Sequence, residues 1–368
     1  MTLYLTKQQS QALRGIAILG IILHNYCHFL KFAVKENEYT FTAEKPRLLL
    51  EKLLALDADL FIHILSFFGH YGVPVFLFIS GYGLVKKYDG SRVLGCGGAR
   101  IFLWNHFKKL FRLMIWGYLL FVVVYFLRNS NGVEVYTWDR VVAQLTMTVN
   151  FLYEHPDRII KPGPYWFFGL MMQLYALYIF VIHRWRSPWL LAALVLVCWL
   201  VQALAPTTDA LNFIRYNFIG GVLPFVAGVY ISRRSPNPFP KGEGRENIQA
   251  QYISTKHITS LSLWEGVGAF ISAIIVFAGS FWFHTWLWVP LFIVVGAVAT
   301  VRLMPEWLLK PCAWMGGISA ALFVMHPLMR EVIIPHYRHT DIYYGIAVYL
   351  LASIAAAMLL RWIMSKKS

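Results

Sequence analysis

Charged side chains are scarce in this chain. They make up 14% of its 368 residues against 58% hydrophobic ones, and the mean hydropathy of +0.55 lies far above that of a soluble domain. That scarcity excludes a soluble fold. Acidic residues are the rarer sign, 18 Asp and Glu to 33 Lys and Arg. Cysteine is nearly absent: Cys27, Cys96, Cys198 and Cys312 show no CxxC or metal-ligand spacing, so neither a disulfide framework nor a zinc site is expected. The chain also lacks an internal repeat and a low-complexity tract.

What it has is a succession of apolar runs. A bilayer core about 30 Å thick takes roughly 20 apolar residues per helix. Runs of this kind start near Leu13, Leu60, Leu113, Tyr165, Trp189, Phe213, Leu263, Trp286, Trp314 and Ile342. They predict an all-α integral membrane protein of about ten transmembrane helices, as a single membrane domain over 1–368. The first run, 13–30, is longer than a signal-peptide core and has no small-residue cleavage site before the next charged stretch, so it is expected to remain as the first span. A weaker stretch, 141–153, is short and flanked by polar residues, and reads as a surface or re-entrant helix.

The charge distribution orients the spans. With a cytoplasmic N-terminus, inner segments hold 21 Lys and Arg and 5 acidic residues, while outer segments hold 12 and 13. This obeys the positive-inside rule and predicts both termini cytoplasmic, with an outer loop at 31–59 and cytoplasmic loops at 85–112 and 232–262. Counting 141–153 as a span would flip every later loop and move most of the downstream basic residues outside. The basic balance, pI about 9.6, is therefore a topology signal. Lipid is the expected partner and nucleic acid is not. The Pro-, Gly- and charge-rich stretch 235–256 reads as a mobile cytoplasmic loop, and 31–59 as a candidate cover for the outer face. The aromatic share of 17% is mostly an interface belt, with outer rings also suited to stacking on sugars.

A titratable group inside a span costs about 3 kcal/mol or more unless it is paired or hydrated, so each is a functional candidate. The first span is the richest, with Arg14 near its inner end and His24, Asn25 and His28 toward its outer end. At about 1.5 Å per residue, Arg14 and His24 stand about 15 Å apart along the axis, a separation suited to a long ligand threaded from below. His24 and His28, four apart, share a face. Arg14 snorkelling to headgroups and an interfacial or supporting His28 are the plainer readings. A metal pair at His24 and His28 lacks an acidic third ligand, so no metal is expected.

Further candidates for lining a pocket are three. His70 sits in Gly69-His70-Tyr71-Gly72-Val73-Pro74, where the small residues and the proline open the second span to a ligand at the backbone, and a pore-facing and a merely packed His70 are equal readings. Gln173 lies in an aromatic run and is expected to bond another helix. His326 precedes Pro327 and is suited to satisfying a carbonyl the proline frees. On the inner face Lys108, Lys109 and Arg112, with Arg100 upstream, suit anionic lipid or the phosphates of a cytosolic nucleotide-like donor.

Four stretches together resemble the acyltransferase 3 family of bacterial membrane acyltransferases, over essentially the whole chain. They are Leu13-Arg14-Gly15-Ile16-Ala17 with His24; Gly72-Val73-Pro74-Val75-Phe76-Leu77-Phe78-Ile79-Ser80-Gly81; Lys109 with Arg112; and Ile318-Ser319 through His326-Pro327. The resemblance implies about ten spans in the bacterial inner membrane and O-acyl transfer, most often O-acetylation. The donor would be cytosolic acyl-CoA as co-substrate, with no bound cofactor, and the acceptor a carbohydrate or lipid-linked glycan, as in polysaccharide modification. It implies His24 as the catalytic histidine, Arg14 as an arginine holding the acyl-CoA, and Lys109 and Arg112 facing its phosphates. The family usually sets Arg and His eleven residues apart. Here the step is ten, Asn25 holds the usual place, and His28 is the alternative base.

Acylating a hydroxyl from a thioester needs a base near neutral pH, which histidine supplies. His24 is the expected base, with Arg14 orienting the donor and offsetting charge on the thioester oxygen. The rival reading is a transporter or flippase for a small solute or lipid-linked sugar, whose pathway the same polar residues would line. A weaker third is a pH sensor built on His24 and His28.

Overall fold

A computed structural model of the chain describes residues 5–35, 38–90, 95–235 and 260–365. It is 82% helix, with no strand among the described residues. The first helix, α1 (Lys7–Cys27), opens on a capping box. The Thr6 side chain accepts from the Gln9 amide and the Gln9 side chain returns the bond to Thr6, so two of the donors orphaned at a helix start are satisfied. There follow α2 (Glu44–Leu54), α3 (Leu60–Phe68), α4 (Gly72–Tyr88), α5 (Cys96–Arg128), α6 (Trp138–Leu145), α7 (Trp166–Leu177) and α8 (Pro188–Ala203). The remainder are α9 (Thr208–Tyr216), α10 (Phe218–Arg234), α11 (Ser260–Gly279), α12 (Val289–Leu303), α13 (Glu306–Tyr337) and α14 (Ile342–Ser365).

A helix occupies each of the ten apolar runs. Five segments are long and apolar enough to cross a membrane: Leu60–Tyr88, Cys96–Arg128, Gly163–Ile182, Glu306–Tyr337 and Ile342–Ser365. A sixth is added if the pair α9 and α10, bent by 45°, is one broken span. Helices α8 and α12 and the 265–279 part of α11 are shorter apolar helices. Several boundaries differ from the loops read off the charges. The segment 85–112 is largely helix, because α5 starts at Cys96 and carries Lys108, Lys109 and Arg112 within it. The outer segment 31–59 contains α2. Most of the 232–262 loop, at 236–259, lies outside the described residues.

Glycines set the closest helix crossings. A Cβ on Gly15 of α1 would collide with the Cys312 carbonyl, and one on Gly316 of α13 with the Gln11 carbonyl, so these two helices pack backbone to backbone. Gly81 of α4 and Gly228 of α10 make the equivalent contact with Phe225 and Phe78. Between α3 and α4 the chain makes a 3₁₀ turn, Gly69–Tyr71. It lies directly on α1: a Cβ on Gly69 would sit 2.5 Å from the Gly20 carbonyl oxygen and 2.6 Å from the His24 Cβ. That contact places the turn beside the C-terminal half of α1.

Candidate active site

His24 is buried where the 3₁₀ turn meets α1, and its Nδ1 lies 2.8 Å from the carbonyl oxygen of Ser66, in the last turn of α3. A carbonyl can only accept, so Nδ1 carries the proton and Nε2 is the basic nitrogen. The half-buried His28 ring stands 5.1 Å from that of His24, one helical turn on, and the His70 ring meets His24 edge-on at 4.9 Å. Three histidines are thus gathered from α1 and the turn. Among the described residues no group of three or more His, Cys, Asp or Glu is arranged to hold a metal ion.

The described residues of segment 31–59 lie against this cluster. The His63 Nδ1 accepts from the Val34 amide, which ties the segment to α3. Farther along it, Glu38 and Tyr39 are both buried. The Glu38 Oε2 is 3.5 Å from the His70 Nδ1. Tyr39 meets the His70 ring edge-on at 5.2 Å and stacks on Tyr216 at 4.2 Å. Arg215 of α9, also buried, donates from Nε to the Glu38 carbonyl at 2.6 Å and from Nη1 to Gln202 at 2.9 Å, with its guanidinium 4.2 Å over the Trp286 ring. Arg215 thus holds the Glu38 backbone, and the buried Glu38 carboxylate lies within electrostatic reach of its guanidinium. A cavity of about 20 Å³ beside them is lined by Glu38, Tyr39, Pro74, Arg215 and Pro290, among others. It has room for about one water.

Asn25 turns away from the histidines. Its Nδ2 donates to the Ile21 carbonyl, and its Oδ1 accepts from Arg330 of α13 at 2.6 Å, while the Arg330 guanidinium packs 4.5 Å over Phe29. One residue along a helix is a rotation of about 100°, which separates the two roles.

Arg14 is half-buried on the same unbroken helix, about 15 Å from His24 along the axis. It lies within electrostatic reach of Tyr175. The Tyr175 ring stands 4.4 Å from His106 of α5, which in turn feels Lys87 and Lys109. Arg14, Tyr175, His106 and the exposed Lys109 are thus each within electrostatic or ring contact of the next. Lys108 folds back over Trp104 of its own helix at 5.7 Å, and Arg112 donates to the Met364 carbonyl near the end of α14 at 3.1 Å.

Two other residues singled out in the sequence have partners elsewhere. The Gln173 Nε2 donates to Asn217 and its Oε1 accepts from the Phe218 amide, so it pins the break between α9 and α10. His326 is fully buried in α13 with its Nδ1 3.1 Å from the Leu322 carbonyl, a local helix contact. The sequence reading missed Glu38, Tyr39, Ser66, Tyr175, His106 and Arg215. For Arg215 the signal was present, a lone cation inside the run opening near Phe213.

The acyltransferase domain family matches residues 9–366, essentially the whole chain. No curated protein and no solved structure matches significantly. The matched region takes in Arg14, the three clustered histidines, the basic end of α5 and all the helices from α2 to α14. The chain belongs to the acyltransferase 3 family, a family of membrane acyltransferases.

Proposed function

We propose that this protein is a multi-pass O-acyltransferase of the bacterial inner membrane. It moves an acyl group, most often acetyl, from cytosolic acyl-CoA to a hydroxyl of a carbohydrate or lipid-linked glycan, with His24 as the base. The observation that carries this reading is the bond from His24 Nδ1 to the Ser66 carbonyl. It fixes the buried imidazole in one tautomer and leaves Nε2 as the proton acceptor. His24 Nε2 takes the proton of the acceptor hydroxyl as its oxygen attacks the thioester carbon. The carbon–sulfur bond then breaks, and the imidazolium returns the proton to the departing CoA thiolate.

Arg14 belongs on the donor side. A rise of about 15 Å separates it from His24, too far for the charge on the reacting thioester oxygen that the sequence reading gave it. It is suited instead to the pantetheine arm or its phosphates, beyond which lie Tyr175, His106 and Lys109. Lys108 and Arg112 lie close by on α5 and add positive charge. Ten crossings with both termini cytoplasmic are the topology we attach to this reading, because that count puts the basic segments inside. It brings the donor to the Arg14 end and the acceptor to the His24 end.

The test uses purified protein in liposomes with labelled acetyl-CoA and a panel of glycan acceptors. Label moving to a glycan is expected. No transfer to any acceptor, with solute flux across the liposome intact, would replace this reading with the transporter.

A further inference from the structure

The outer segment 31–59 delivers a buried carboxylate, Glu38, to the back of the histidine cluster, where nothing in the transfer step above employs it. Two contacts connect it to the base and a third anchors it. Glu38 Oε2 is 3.5 Å from His70 Nδ1, the His70 ring meets that of His24 at 4.9 Å, and Arg215 holds the Glu38 backbone at 2.6 Å. The 3₁₀ turn that carries His70 is itself held against α1 by Gly69, so the spacing between His70 and His24 is set by backbone packing. We propose that Glu38, acting through His70, is the positioning residue that compensates the charge His24 acquires when it takes the acceptor's proton.

The proposal rests on the reading of His24 as the base. While the proton resides on His24 its surroundings gain one positive charge. The groups around it are His28 on α1, the Ser66 carbonyl and His70 on the segment against α1, then Tyr39 and Glu38 on the outer segment, with Arg215 and Tyr71 beyond Glu38. On α13, Arg330 is directed at Asn25. Asp157 also stands within electrostatic reach of Tyr39, and Glu38 is the acid that contacts His70. No proton need pass to it: the proton leaves the acceptor oxygen for His24 Nε2 and ends on the CoA sulfur, while Glu38 stays ionised. The two contacts, 3.5 Å from Oε2 to Nδ1 and 4.9 Å between ring centroids, keep it within about 10 Å of the His24 ring centre once the radius of the His70 ring is added. At an effective dielectric near 20, removing that charge shifts a titration by about 1 to 1.5 pH units.

The experiment compares pH profiles of kcat/KM for labelled acetyl transfer by the reconstituted full chain, in wild type, Glu38→Gln, Glu38→Asp and His70→Gln. In Glu38→Gln the acid limb is expected to move to lower pH by about one unit. The kcat at pH 7 should fall about threefold to tenfold because the base is weaker, with the KM for acetyl-CoA unchanged. Glu38→Asp should restore most of the wild-type limb. His70→Gln should shift it in the same direction as Glu38→Gln, which keeps the test in force if Glu38→Gln does not fold. An acid limb that stays at its wild-type position in the folded variants overturns the proposal while leaving the function intact. A wild type that transfers no acyl group overturns the function reading and this proposal with it.

Discussion

Replacing Gly69 by alanine tests whether the site depends on the contact between the 3₁₀ turn and α1. The added Cβ would lie 2.5 Å from the Gly20 carbonyl oxygen and 2.6 Å from the His24 Cβ, where ordinary contact begins at 3.4 Å. One neighbour is backbone and the other is the root of the base, so neither can swing aside, and the turn must lift from α1 by nearly 1 Å. Overpacking of this kind costs about 1–3 kcal/mol of stability. A displacement of about 1 Å in a catalytic group costs on the order of a hundredfold in rate. The expected result is a kcat about a hundredfold lower, with a lowered melting temperature in detergent. Gly83 in α4 provides the control, because a Cβ there meets nothing within 4 Å. Gly83→Ala should keep full activity and, by relieving glycine in a helix interior, add about 0.5–1 kcal/mol of stability. Wild-type kcat in Gly69→Ala would refute the claim that this contact sets the geometry of His24.

Three further outcomes are expected. Asn25→Ala removes the oxygen that accepts from Arg330 and should lower stability by about 1–3 kcal/mol, read by thermal melting, while leaving the acid limb of the pH profile in place. Gln173→Leu leaves the Phe218 amide and Asn217 without their partner at the α9–α10 break; a loss of about 1–3 kcal/mol is expected in the same melt. Asp89, just past the end of α4, is subject to burial, which pushes its carboxyl up, but bonds from Arg233, Tyr178 and His183 outweigh this and hold it below the ordinary 3.8. Its contribution is therefore complete above about pH 4 and is lost as pH falls through the lower folded-state value. Acid titration followed by tryptophan fluorescence should show Asp89→Asn destabilised at pH 7, with the gap to wild type closing below pH 4.

The parts of this fold that depend on local composition were legible in the sequence. All ten apolar runs became helix, because a backbone in lipid has no other way to satisfy its polar groups, though only five segments, or six with the bent pair, are long and apolar enough to cross a membrane. His24 and His70 were both marked by being titratable among apolar neighbours, and the structure brings them together. What the sequence hid is pairing across distance. Ser66 lies 42 residues from His24, and Arg215 lies 177 from Glu38. Glu38 reads as one more acid in an outer loop, and only the descent of that loop over the 3₁₀ turn makes it a buried group. The rotation that separates His24 from Asn25 could be counted from helical geometry. That Asn25 is committed to Arg330 depends on α13 lying against that face, which no spacing within α1 reveals.

The central claim, that the base of an acyltransferase sits on α1 at His24, is tested most directly by labelled acetyl transfer in liposomes with wild type, His24→Ala and His28→Ala side by side. The account predicts that transfer is abolished in His24→Ala and survives in His28→Ala at a reduced rate. Loss of transfer in His28→Ala alone, with His24→Ala still active, would contradict it.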